Sequence, residues 1–175
     1  KKTLKLIDWE HPFDNDFYIA EEVTIKGVDE TSSEKRPDLL IYVNGIAMAD
    51  IELKRSTMSV HNGIRQNIDS QKKEFIRPFF STMQLLCAGN NTEGLWYGVI
   101  DTPEKFWLRW KESNPEVSNE LDRSTLQLFN KERFLEFIHD FMIYDGGIKK
   151  ACRPNQYVAV KAAQPRVRKK DSGII

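Results

Sequence analysis

Four ionisable side chains interrupt two apolar runs in the stretch KRPDLLIYVNGIAMADIELKRS, Lys35 to Ser56: Asp38, Asp50, Glu52 and Lys54. On an extended strand successive side chains alternate between faces, so Glu52 and Lys54 project side by side. A carboxylate and an ammonium held this way can address one reacting atom together. Two carboxylates brought face to face repel unless a cation lies between them, and hard oxygen donors suit a divalent ion such as Mg²⁺. Asp38 with Glu52 is the candidate pair, and Lys54 is the candidate polarising cation.

Positioning them is a question of strand register. Asn44-Gly45 between apolar runs predicts a two-residue β-hairpin turn. With that turn and regular pairing, Asp38 would oppose Ile51 and lie on the wrong side of the sheet. One extra residue, in the loop or as a bulge in the strand, brings Asp38 directly across from Glu52, with Cβ atoms about 5 Å apart. The spacing therefore predicts an odd-length loop or a bulge. Asp50 shares the Glu52 face and reads as a bystander acid rather than a second metal ligand. An acid-x-Lys pair is more often a solvated ion pair on a strand; here the apolar flanks and Pro37 beside Asp38 argue for a built site.

The remaining elements must supply a core. The chain has 175 residues, 40% hydrophobic and 30% charged, which suits one domain. Lys plus Arg and Asp plus Glu both number 26, so net charge is zero, and a nucleic-acid role would need a local patch. Apolar runs are far shorter than the ~20 residues of a membrane span. The start, KKTLKLIDWEHPFDND, lacks the apolar core of a signal peptide and an initiator Met, as expected of a cytoplasmic fragment. Cys87 and Cys152 form no CxxC, so reduced thiols are expected, and the three histidines show no metal-ligand spacing. Strands are predicted over Phe17 to Lys26, Met83 to Gly89 and Gly94 to Asp101. Helices are predicted over His61 to Phe75, Lys131 to Asp145 with Gly146-Gly147 ending it, and Asn155 to Ala163. Trp96, Tyr97, Trp107 and Trp110 sit in apolar segments and read as core rather than as base-stacking platforms. Strands mixed with helices give an α/β domain.

The motif Pro37-Asp38 followed by Glu52-Leu53-Lys54 looks like that of PD-(D/E)xK nucleases. The wider string, RPDLLIYVNGIAMADIELKRS, then IRQN, then FFSTMQLLCAGNNTEGLWYG, resembles the N-terminal nuclease domain of the R subunit of type I restriction enzymes. The resemblance implies a restriction-endonuclease-like mixed sheet flanked by helices. It implies Mg²⁺ held by Asp38, Glu52 and the Leu53 carbonyl, with Lys54 activating water for phosphodiester hydrolysis and Gln66 completing the catalytic set. The family often carries a Tyr four residues after that Gln; Ser70 stands there, with Gln71 beside it. Arg153-x-x-Gln156 looks like the adenine-reading element of superfamily 2 motors, and Ser172 to Ile175 like the first motor strand. Residues 1–150 would then be the nuclease domain and 151–175 a helix and strand leading into a motor. No phosphate loop is present, so ATP belongs only to the full-length subunit. Implied partners are double-stranded DNA and the modification (methyltransferase) and specificity subunits, with no membrane. Arg55, Lys72, Lys73 and Arg77 are the candidate phosphate contacts. A scaffold of the same fold and a repair or junction nuclease are the alternative readings.

Overall fold

The structure is a computed structural model that describes residues 4–27, 33–112 and 116–170. Its centre is a six-stranded mixed sheet in chain order: β1 (Phe17–Glu21), β2 (Leu39–Val43), β3 (Ile46–Leu53), β4 (Leu85–Asn90), β5 (Gly94–Gly98) and β6 (Leu108–Arg109). All neighbours pair antiparallel except β3 and β4, which are parallel. A parallel pair needs a crossover, and here it contains α1 (His61–Ser70) and a 3₁₀ turn, Arg77–Ser81.

Strand alternation splits the interior into two cores. On one face Ile41, Val43, Ala49, Ile51, Leu85, Cys87, Leu95 and Tyr97 pack with α2 (Glu120–Leu128), α3 (Lys131–Asp140) and Tyr157 of α4 (Pro154–Lys169). On the other Leu40, Ala47, Leu86 and Ala88 pack beneath Val60 and Ile64 at the α1 end of the crossover, with Phe80, Met83 and Trp107. Tyr97, Trp107 and Trp110 are buried, as their apolar surroundings predicted. α2 and α3 each start at an asparagine whose side chain accepts backbone N–H groups of the first turn, Asn119 from Leu121 and Asp122, and Asn130 from Arg133.

Several elements differ from the sequence reading. The apolar spacing that suggested a helix through Asp145 ends at Asp140; Met142–Asp145 is strand β7, paired with β8 (Ile148–Ala151). Gly146 and Gly147 form its turn, at φ +56° and +81°, instead of capping a helix. Asp-Gly-Gly after Ile143-Tyr144 was the local signal. α1 stops at Ser70, five residues before Phe75. α4 runs past Ala163 through Pro165, and β1 stops at Glu21 where Glu22 turns to φ +50°. α2 was not anticipated. Ser172 to Ile175, read as a motor strand, lies outside the described residues. No helix of the described residues is long and apolar enough to cross a membrane.

Candidate active site

Of the two devices that its sequence left open, the β2–β3 hairpin uses the bulge and keeps the loop even. Asn44 and Gly45 make a two-residue turn at φ +50° and +79°, with Val43 opposite Ile46 and Tyr42 opposite Ala47. Beyond it the register shifts: Ile41 faces Ala49, Leu40 faces Asp50 and Leu39 faces Ile51. Met48 is the extra residue of a β-bulge, and it and Ala49 both join the same core. The shift carries Asp38 to the strand position across from Glu52. Its Oδ2 accepts the Leu53 N–H at 2.7 Å, which fixes the carboxylate against the end of β3.

Three oxygens meet at one amine. Lys54 Nζ lies 3.2 Å from the Leu53 carbonyl oxygen, 3.4 Å from Glu52 Oε2 and 3.9 Å from Asp38 Oδ2. The Lys54 N–H donates to Gly89 O at 2.9 Å, so β4 anchors the end of β3. Glu52 is only 2% exposed along its side chain, Lys54 14% and Asp38 35%, so the site opens to solvent from the Asp38 side. Burial pushes the Glu52 carboxyl from its ordinary 4.5 to about 7; the Asp38 carboxylate adds to the rise and Lys54 opposes it. Asp50 lies deeper on the same face, 1% exposed, with Oδ1 lacking any partner among the described residues. Burial, and then the charges of Glu52 and Asp38, push its carboxyl far above the usual range. Two carboxylates and a carbonyl around a cation are a hard donor set, and the raised Glu52 carboxyl marks a place short of positive charge; these residues fit a divalent ion.

α1 closes the site from above. A Cβ on Gly63 would lie 3.0 Å from Ala88 Cβ and 3.4 Å from Glu52 Cβ, so glycine permits this close approach. Helical phase sets Gln66 about 60° from Gly63 around the axis, on the flank opposite Ile64. The Gln66 side chain makes no hydrogen bond with a described residue. Ser70 Oγ donates to Gln66 O at 3.0 Å. Gln71 bridges Asn67 O and the Asp101 N–H. Both side chains bind backbone groups.

The candidate phosphate contacts divide. Arg77 is clamped bidentately by Asp101 at 2.6 and 2.7 Å, and Lys72 pairs with Asp69. They lie past the C-terminal end of α1, beyond Ser70, whereas Gly63 seats near its start. Arg55 and Lys73 are exposed and have no ion-pair partner among the described residues. Gln156 Oε1 accepts the Arg153 N–H at 2.8 Å and so caps α4. Sequence reasoning passed over Asn90 and Glu93, which fasten the segment after Lys54; the Gly-Asn-Asn run marked only a turn. Elsewhere Asp8, His11 and Asp14 cluster near the N-terminus, where Asp8 accepts the Glu10 and His11 N–H groups.

A mixed sheet with helices on both faces, a bulged hairpin and an acid pair beside a lysine at its end, defines a restriction-endonuclease-like α/β domain. The chain belongs to the family described as type I restriction enzyme R protein N terminus, whose profile matches residues 1–105. It is 28% identical over 170 residues, 83% of its length, to a putative type I restriction enzyme MjaIXP endonuclease subunit of Methanocaldococcus jannaschii. It is 28% identical over 165 residues, 91% of its length, to the SsaAORF53P endonuclease subunit of Staphylococcus saprophyticus. With the EcoprrI endonuclease subunit of Escherichia coli it shares 24% identity over 116 residues, 63% of the chain and 37% of that relative. The chain spans 16% of the length of the first relative and 17% of the second.

Proposed function

We propose that this chain is the Mg²⁺-dependent endonuclease domain of a type I restriction R subunit, hydrolysing phosphodiester bonds of double-stranded DNA. The observation that carries the reading is the convergence of Asp38, Glu52 and the Leu53 carbonyl on the Lys54 ammonium. Asp38, Glu52 and the Leu53 carbonyl would hold the ion. When bound, it supplies Lewis-acid neutralisation of charge on the phosphorane and on the departing 3′ oxygen. Lys54 donates hydrogen bonds to the attacking water and to a non-bridging phosphate oxygen, favouring the charge that develops there. Gln66 of α1, whose side chain makes no hydrogen bond with a described residue, orients that water. Residues 151–175 lead into an ATP-driven motor, and modification and specificity subunits choose the DNA.

In the complete subunit assembled with its partners, Lys54→Ala is expected to lower cutting of unmethylated DNA by about 10²-fold or more while ATP hydrolysis continues. Unimpaired cutting would sink the assignment.

A further inference from the structure

The turn that follows Lys54 is built as a rigid surface, and no part of the mechanism above uses it. Arg55, Ser56, Thr57, Met58 and Ser59 are all exposed, Met58 by 43%. Exposed turns are ordinarily mobile, yet this one is fastened from below. The Met58 N–H closes the turn on Arg55 O at 2.8 Å. Asn90, fully buried, donates to Met58 O at 2.8 Å and to Glu93 Oε1 at 3.0 Å, and accepts the Thr92 and Glu93 N–H groups. Glu93 Oε1 in turn accepts the Val60 N–H at 2.8 Å, and Thr92 Oγ1 donates to Ser56 O at 3.3 Å. A polar network at the β4–β5 turn thus fixes the backbone on either side of the exposed residues.

What it presents is chemically narrow. From Leu53 to His61 there is no acid; the turn itself offers one guanidinium, three hydroxyls and one apolar tip. Those are the groups that contact duplex phosphates and sugars. Arg55 has no ion-pair partner among the described residues, whereas Arg65, Arg77, Arg109, Arg123 and Arg133 each hold an acid. Each residue advances at most about 3.8 Å, and phosphates of one strand recur every ~3.4 Å of duplex axis. Ser56 and Thr57 follow Lys54 by two and three residues, a separation that spans at most the next few phosphates beside one held at Lys54.

We infer that the Arg55–Ser59 turn is a duplex-backbone binding site that sets which phosphate rests on Lys54. The inference rests on the nuclease reading. It predicts contacts without base preference, because neither a guanidinium on phosphate nor hydroxyls on phosphate oxygens read sequence.

The test is binding of a labelled short duplex by the 175-residue chain at low salt with Ca²⁺, followed by fluorescence anisotropy. Thr57→Glu, which puts a like charge against the phosphates, is expected to weaken binding about tenfold or more with an unchanged unfolding midpoint. Arg55→Ala should reduce the slope of log affinity against log salt by about one. Leu126→Glu, on exposed α2 across the sheet, should leave affinity within about twofold. Wild-type affinity in both turn variants would overturn the turn's role and leave the nuclease reading standing. A wild-type chain that binds no duplex would overturn the turn's role, and the Lys54→Ala cutting assay then decides the nuclease reading separately.

Discussion

At the scale of single residues, the site holds two carboxylates in conflict, which a bound cation would relieve. Glu52 is buried against another carboxylate, and its carboxyl is raised from 4.5 to about 7. The folded chain therefore keeps a proton that the unfolded chain has already released, so stability falls as pH rises from about 4.5 to about 7. A rise of that size corresponds to about 3 kcal/mol at higher pH. Glu52→Gln removes the effect. In chelator at pH near 8 the variant should be more stable than wild type by about 2–3 kcal/mol, with the two converging near pH 4. Urea unfolding at both pH values checks this, and added Mg²⁺ should raise the wild type alone. A variant that is less stable than wild type in chelator at both pH values would mean that the carboxylate is not under strain. Asp50 shows why the same residue type plays different parts a few ångströms apart. It shares the face of Glu52 but lies beside Leu40 of the neighbouring strand, where one oxygen has no partner.

At the scale of elements, the bulge and α1 decide whether the pair exists. The two-residue turn alone would send Asp38 to the side of Ile51; Met48 restores the pairing. That need for an odd residue was legible, because side-chain alternation makes Asp38 and Glu52 incompatible with a regular two-residue hairpin. Whether the extra residue would lie in the turn or in a strand was not legible, since it depends on what the bulged backbone meets. Here the Gln84 N–H donates to Met48 O at 2.7 Å and Thr82 Oγ1 to Ala47 O at 2.8 Å, contacts made by the far end of the crossover. α1 was read as a helix from its apolar spacing, but its seating at Gly63 on Ala88 and Glu52 is a tertiary fact. Gly63→Val overfills that contact. It should lower stability by about 1–3 kcal/mol and weaken Mg²⁺ binding, read by denaturation and by isothermal titration. Wild-type values in both would show that the helix can lift without disturbing the acids. The misread helix after Asp140 has a similar cause. Phe141 and Met142 continue the apolar spacing of α3, yet Ile143-Tyr144 and Asp145-Gly146-Gly147 favour a hairpin, and the hairpin prevails.

At the scale of the whole molecule, Lys149 joins the β7–β8 hairpin to the loop before β4. Its Nζ donates to Met83 O at 3.3 Å and to Gln84 Oε1 while only 7% of the residue is exposed. Burial lowers its pKa from 10.5 to about 8. Between those values the unfolded chain holds a proton that the folded one has lost, so this group makes stability rise with pH from about 8 to about 10.5. Lys149→Met should flatten that rise, which thermal unfolding across the range would register. An identical pH profile for both proteins would place the lysine in water. The two cores, one on each face of the sheet, leave Glu52 and Asp50 on the side covered by α1, which is why their carboxyls are dry.

The sequence by itself determined the chemistry on offer: an acid before β2, an acid and a lysine two residues apart, a tight turn between, and apolar alternation that assigns each to a face. These follow from a period of two and from residue type, which need no distant partner. The tertiary structure alone decided the bulge at Met48, the seating of α1 on Glu52, the capture of Arg77 by Asp101 and the fastening of the Arg55–Ser59 turn by Asn90 and Glu93. Each depends on groups far apart in the chain meeting in a low-dielectric interior, and local spacing carries no record of that meeting.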